Sequence, residues 1–130
     1  MKVHFNGTEV GGVRLNGTTG VQYPTSSDYR LKENIAPIEN ALSRVQALNP
    51  VRFNFIAEPD ITLDGFIAHE AKEVVPEAVC GEKDAVNDEG IIIPQGIDQA
   101  KLVPLLTAAL QELVSEVESL KAEVAALKAQ

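Results

Sequence analysis

VPLLTAALQELVSEVESLKAEVAAL, Val103 to Leu127, repeats an apolar residue at alternating steps of three and four. Val103, Leu110, Val117 and Val124 take heptad position a, and Leu106, Leu113, Leu120 and Leu127 take position d. The register runs unbroken for almost four heptads and predicts a coiled-coil helix over about residues 100–129. Glu116 and Glu123 then fall at g, with Lys121 and Lys128 at e. A g residue reaches the next e residue across a parallel pair, so Glu116–Lys121 and Glu123–Lys128 are complementary between chains. Each such exposed pair contributes on the order of a few tenths of a kcal/mol, so its role is orientation rather than strength. Valine at a with leucine at d mildly favours two strands, a preference that an upstream trimeric body can override. The competing reading is an amphipathic helix folded back on its own domain.

Upstream of this helix the chain is ordinary in amount and poor in aromatics. Its 130 residues allow one domain, or a small domain with appendages. Tryptophan is absent, so any core rests on Leu, Val, Ile and Ala. A net charge of −8 argues against nucleic acid and against an anionic membrane surface as partners. The single cysteine, Cys80, permits no intrachain disulfide and points to a reducing compartment; it reads as a small, partly buried residue in an apolar stretch. No apolar run approaches membrane-spanning length, and Met1-Lys2-Val3-His4-Phe5 lacks the apolar stretch of a signal peptide.

The first 24 residues contain a short repeat. Val3-His4-Phe5-Asn6-Gly7-Thr8 returns ten residues later as Val13-Arg14-Leu15-Asn16-Gly17-Thr18. Each copy alternates apolar and polar residues and ends on Asn-Gly, which predicts a strand and a tight turn. The segment has too few apolar residues for a core of its own, so it reads as the end of a β-rich region that needs partner chains, or as an isolated hairpin. Tyr23 to Asp28 reads as a linker or turn, with Ser27 or Asp28 as a cap for the next segment. Ile38, Leu42, Val45 and Leu48 predict a helix ended by Asn49-Pro50, and Val51 to Phe55 a half-buried strand. Gly65 to Ala68 predicts a short buried strand, and His69 to Val75 a helix stopped by Pro76. Val79 to Ile93 reads as a strand, a charged loop from Gly81 to Gly90, and a second strand at Ile91-Ile92-Ile93, together a projecting hairpin.

Ser27 and Lys32 are the residues to weigh for chemistry. A serine hydroxyl is a weak nucleophile until a base takes its proton, and a lysine is that base only when neutral, through burial or a neighbouring positive charge. Arg30 is a candidate for that charge, and Asp28 opposes it. Ser-x4-Lys is a weak signal by itself.

Ser27-Asp28-Tyr29-Arg30-Leu31-Lys32-Glu33-Asn34-Ile35 resembles the opening signature of the C-terminal intramolecular chaperone domain of phage tailspikes, endosialidases and tail fibres, the peptidase S74 family. The likeness continues in Ala41 to Val45, Leu48 to Phe53, Gly65 to Glu70, Val75 to Val79, Ile97-Asp98, Leu102 to Leu106 and Ala109 to Leu113, in family order over about residues 25–130. His69 departs from it, since glutamine is the more usual residue there. The resemblance implies an α+β protein: an N-terminal stub resembling a triple β-helix, a mixed chaperone body and the long C-terminal helix, assembled as a homotrimer. It implies that Ser27 is the nucleophile and Lys32 the general base of a single-turnover self-cleaving peptidase. The implied cut falls at Ser27–Asp28, with Arg30 and His69 as candidate assisting groups. Residues 1–27 would then be the C-terminal end of the fibre, and 28–130 the released chaperone. The implied partners are two further copies and the upstream fibre or tailspike chains. Assembly would take place in the host bacterial cytoplasm, and the upstream part would remain on the virion tail. No cofactor and no metal are implied.

Attack of Ser27 on its own carbonyl would close a four-membered ring. Attack on the Ser26 carbonyl, one bond earlier, and attack on a neighbouring chain are the alternatives. A non-cleaving trimerisation or adhesion tip is the rival function. His69-Glu70 lacks the second histidine of a zinc motif, His4 reads as solvated, and Asp84, Asp88 and Glu89 read as a solvated acidic loop rather than a calcium loop.

Overall fold

The computed structural model describes all of residues 1–130. The chain forms two compact units, Met1–Pro37 and Ile38–Gln130. The units part beyond the implied cut, so Ser27 and Lys32 lie in the same unit.

In the first unit, β1 (Lys2–Phe5) and β2 (Thr8–Gly12) form an antiparallel hairpin in which Phe5 faces Thr8. Asn6 and Gly7 both take positive φ, 48° and 79°, as the twist of a two-residue hairpin turn requires. The second copy of the repeat folds differently. In β3 (Arg14–Asn16) and β4 (Gly20–Gln22), Asn16 is paired within the ladder opposite Gly20, and the turn is a three-residue loop opened by Gly17. One residue of added loop length moves Asn16 out of the turn. The chain then returns to the first hairpin. Gly12 N–H donates to Pro24 O (3.1 Å), Ser26 N–H donates to Val10 O (3.0 Å), and Gly11 bridges Thr25, so residues 24–26 lie along the outer edge of β2.

The second unit has its core where α1 (Ala41–Ala47) meets the start of α3 (Val103–Lys128). Ala41, Val75, Ala78, Leu102, Leu105 and Ala109 are buried together. Small residues at 41 and 109 let the two helix backbones approach closely, and burial of Leu102 and Leu105 stabilises by about 2 kcal/mol each. Ile38, predicted as part of the helix, precedes it; Asn40 in the left-handed region (φ 54°) stands at the helix start. No side chain of that N-cap supplies a bond, and Glu112 of α3 does so instead, accepting from Leu42 N–H at 3.0 Å. At the end of α2 (Ala68–Val74), Arg44 donates to Val74 O at 2.9 Å. Pro76 begins a 3-10 turn rather than simply ending the helix.

β5 (Pro50–Phe53) pairs antiparallel with β6 (Leu63–Phe66), and the cross-strand Arg52–Asp64 ion pair is forked, at 2.8 and 3.1 Å. Neither strand reaches as far as its pattern predicted: Asn54 and Phe55 lie beyond β5, and Ala68 already belongs to α2. The hairpin is also longer than predicted. β7 (Val79–Cys80) pairs with β8 (Gly96–Ile97), and Ile91 to Ile93 form no strand but a single bridge, Val86 to Ile92. Asn87 closes its tip by accepting from the N–H groups of Glu89 and Ile91. Cys80, expected to be partly buried, is exposed; its Sγ lies over Gly96, which has no side chain to cover it.

The long helix uses two different faces. Leu102, Leu105 and Ala109, at heptad positions g, c and g, pack into the unit's own core. The a and d residues, from Val103 to Leu127, are all exposed, and no residue from Gln111 onward is buried. The alternative in which this stripe folds back on its own domain is thereby excluded. A 3-10 turn, Gln99–Leu102, capped by Asp98 through Ala100 N–H (3.2 Å), leads into the helix, and Pro104 occupies its first turn, where no intrahelical donor is needed. No helix is long and apolar enough to cross a membrane.

Candidate active site

The site is built from consecutive residues of the first unit. Pro24, Thr25 and Ser26 are held along β2 by the two backbone bonds from Gly12 and to Val10. Asp28, its backbone still extended (φ −66°, ψ 131°), then caps a 3-10 turn, Tyr29–Leu31. Its Oδ1 accepts from Arg30 N–H at 2.9 Å, while Leu31 N–H donates to Asp28 O and Lys32 N–H to Tyr29 O, both at 3.1 Å. The turn reverses the chain by enough to bring the fifth residue after Ser27 back to it. Lys32 Nζ donates to Ser27 Oγ at 2.7 Å.

Arg30, a candidate source of positive charge for Lys32, is engaged elsewhere. Its guanidinium forks onto Asp28, Nε to Oδ1 at 2.9 Å and Nη2 to Oδ2 at 2.7 Å. This ion pair, with the Arg30 N–H, holds the Asp28 carboxyl below the ordinary aspartate value of 3.8 and raises Arg30 above its own. Asp28 therefore shapes the turn and neutralises Arg30. The whole site is open to water. Tyr29 is 77% and Leu31 63% exposed, so two large apolar side chains stand uncovered beside the Ser–Lys pair.

The site depends on pH, with a sign set by the depressed carboxyl. The Asp28 cap is fully present above the ordinary aspartate value and is lost as the pH falls through the lower, folded-state one. The Ser27–Lys32 contact is therefore expected to persist through mildly acidic pH and to open only below 3.8. Side-chain NMR of Lys32 across that range checks this, with Asp28→Asn expected to abolish the acid step.

His69 lies in the other unit, near the start of α2, in a cleft lined also by Glu82, Asp84, Val86, Ile93 and Gln95. The residues that sequence reasoning missed are Gly11 and Gly12. Paired glycines inside a strand mark a close backbone approach, and here that approach is by Pro24 and by Met1.

Residues 27–80 match the family model for Peptidase S74, chaperone of endosialidase, and the match begins at the same serine that Lys32 contacts. The chain is also similar to the long tail fiber protein Gp37 of Enterobacteria phage K3 and to that of Enterobacteria phage T2, each 33% identical over 102 residues. Over residues 27–80 the chain is thus similar to the peptidase S74 family. The matched S74 segment contains Ser27, Lys32, α1, α2 and the β5–β6 pair, and ends before the hairpin tip and α3. The alignments with the two tail fibre proteins cover 75% of this chain and 8% and 7% of the relatives, so the chain spans under a tenth of the length of either.

Proposed function

We propose that residues 28–130 act as a trimeric intramolecular chaperone for a phage tail fibre or tailspike. On this reading, residues 1–27 are the end of the fibre, and the chaperone releases itself by a cut at Ser27. The observation that carries the reading is the hydrogen bond between Lys32 Nζ and Ser27 Oγ, made by a turn that starts at the implied scissile bond. The family match that begins at Ser27 and the similarity to long tail fibre proteins support it.

In the exposed site Lys32 Nζ stands within hydrogen-bond distance of Ser27 Oγ, open to water. To work as a base it must lose its proton, and the first requirement is removal of water. Tyr29 and Leu31 supply the apolar surface on which a neighbouring chain could seat and exclude that water. Neutral Lys32 Nζ then takes the Ser27 hydroxyl proton as Oγ attacks a peptide carbonyl. The carbon–nitrogen bond breaks, the departing amine receives the proton from Lys32, and water hydrolyses the ester. Attack on the Ser27 carbonyl of another chain gives the cut at Ser27–Asp28 without a four-membered ring.

The test is intact mass against time, at a concentration where light scattering reports a trimer. Wild type is expected to split next to Ser27, with Ser27→Ala and Lys32→Ala remaining whole. The rival non-cleaving tip is favoured by one observation: Arg30's charge is already neutralised by Asp28, so no spare cation stands ready to lower Lys32's proton affinity. Trimeric wild-type chains that stay whole indefinitely would establish that rival.

A further inference from the structure

We propose that the outer edge of β2 is a template that presents the cleavage segment, and that Gly11 is the positioning residue which makes the template work. The cleavage half of this proposal rests on the proposed role of Ser27 as nucleophile; the template half stands on backbone geometry alone.

β2 has two edges. One pairs with β1, and the other receives residues 24–26 through two bonds, Gly12 N–H to Pro24 O and Ser26 N–H to Val10 O, which together make the Gly11–Thr25 bridge. Ser27 is the first residue after the last of these bonds, and Asp28 begins the turn that returns Lys32. The Ser27 hydroxyl is thus fixed from both sides, by an edge strand before it and a capped turn after it. Gly11 is not in the left-handed region, so no conformational need selects glycine there. The need is space. A Cβ at Gly11 would stand 2.9 Å from Pro24 O, a backbone atom with no rotamer to escape into. Gly12 has the matching constraint on the other side, where a Cβ would collide with Met1 O at the β1 end. The two glycines therefore serve opposite edges of one strand.

One consequence is regulatory. The template exists only when the β1–β2 hairpin has formed. A chain whose first twelve residues are unfolded or mispaired holds Ser27 from one side only. Cleavage then reports on the fold of the β-segment that precedes it, through two adjacent backbone hydrogen bonds rather than through a distant signal. A displacement of about 1 Å at a reacting atom is enough to slow a reaction by on the order of a hundred-fold.

The experiment uses the full chain. Amide exchange by NMR is measured for wild type and Gly11→Ala, with Gly12 and Ser26 N–H reporting the template and the β1–β2 amides reporting the hairpin. Self-cleavage is followed by mass in parallel. Ser26→Pro, which removes the donor to Val10 without touching β2, is the second variant. Both variants are expected to lose protection at Gly12, to keep the hairpin amides protected, and to cut about ten- to a hundred-fold more slowly. A variant that cuts at the wild-type rate with its Gly12 amide freely exchanging would overturn the proposal, as would Gly11→Ala with protection unchanged. A wild type that never cuts while Gly11→Ala still loses protection would remove the cleavage role of both Gly11 and Ser27, and would locate the failure in the proposed function rather than in the edge pairing.

Discussion

Lys32→Arg is expected to give a chain that assembles, keeps a cation within reach of Ser27 Oγ, and never cuts. Arginine is the informative replacement because it separates two roles that alanine removes together. As a hydrogen-bond donor to Ser27, a guanidinium can substitute for the ammonium that lies 2.7 Å away. As a base it cannot, since it keeps its proton at any pH the protein survives. If Lys32 merely orients the hydroxyl, Lys32→Arg should retain a measurable fraction of wild-type cleavage. If Lys32 takes the proton, cleavage should fall below detection in both Lys32→Arg and Lys32→Ala, with solution mass and helical circular dichroism the same as for wild type. Raising the pH sharpens the comparison. Deprotonation of a lysine in the assembled wild type should speed the cut, while Lys32→Arg should show no such rise.

Much of this site was legible in the order of its residues. Ser27, Asp28 and Lys32 lie close in sequence, and an aspartate followed by a short turn is a local event governed by side-chain capping. What could not be read was how Arg30 would be used. Sequence spacing leaves it equally near Asp28 and Lys32, and only the fork geometry at 2.7 and 2.9 Å decides in favour of Asp28. The helix of residues 103–128 was legible for the same local reason, a period sustained over many turns. Failures occurred where the partner is distant in sequence. β7 pairs with β8 rather than with Ile91 to Ile93, because Gly96 permits the close approach of Cys80 and the hairpin tip is closed by Asn87. Glu112 caps a helix seventy residues away, and nothing in the local pattern around Leu42 announces it. The second Asn-Gly gave a correct strand and a wrong turn, since one additional loop residue transfers Asn16 from the turn to the ladder.

Leu113→Asp should dissolve the assembly and leave the protomer's own core intact, whereas Leu105→Ala should do the reverse. The contrast comes from two faces of a single helix. Leu105 is 3% exposed against α1, and truncating a leucine so placed costs about 2–5 kcal/mol. Leu113 is 42% exposed in the protomer and is not one of the buried core residues, so its substitution removes little from that fold. In the proposed trimer its cost falls on the exposed a/d stripe, where a carboxylate at a central d position would have to be buried without a counter-ion. The helix beyond Glu112 has no tertiary support of its own, and isolated helices of that length are marginal in water. Leu113→Asp is therefore expected to show a single-chain mass by light scattering, to lose helical signal from its distal half, and to retain the denaturation midpoint of the core as read at α1. Dilution of wild type should produce the same loss of helix reversibly. If Leu113→Asp kept the wild-type mass and helicity, the exposed stripe would have no role in assembly. The covering of Tyr29 and Leu31, and the drying of Lys32 that depends on it, would then require a different contact between chains.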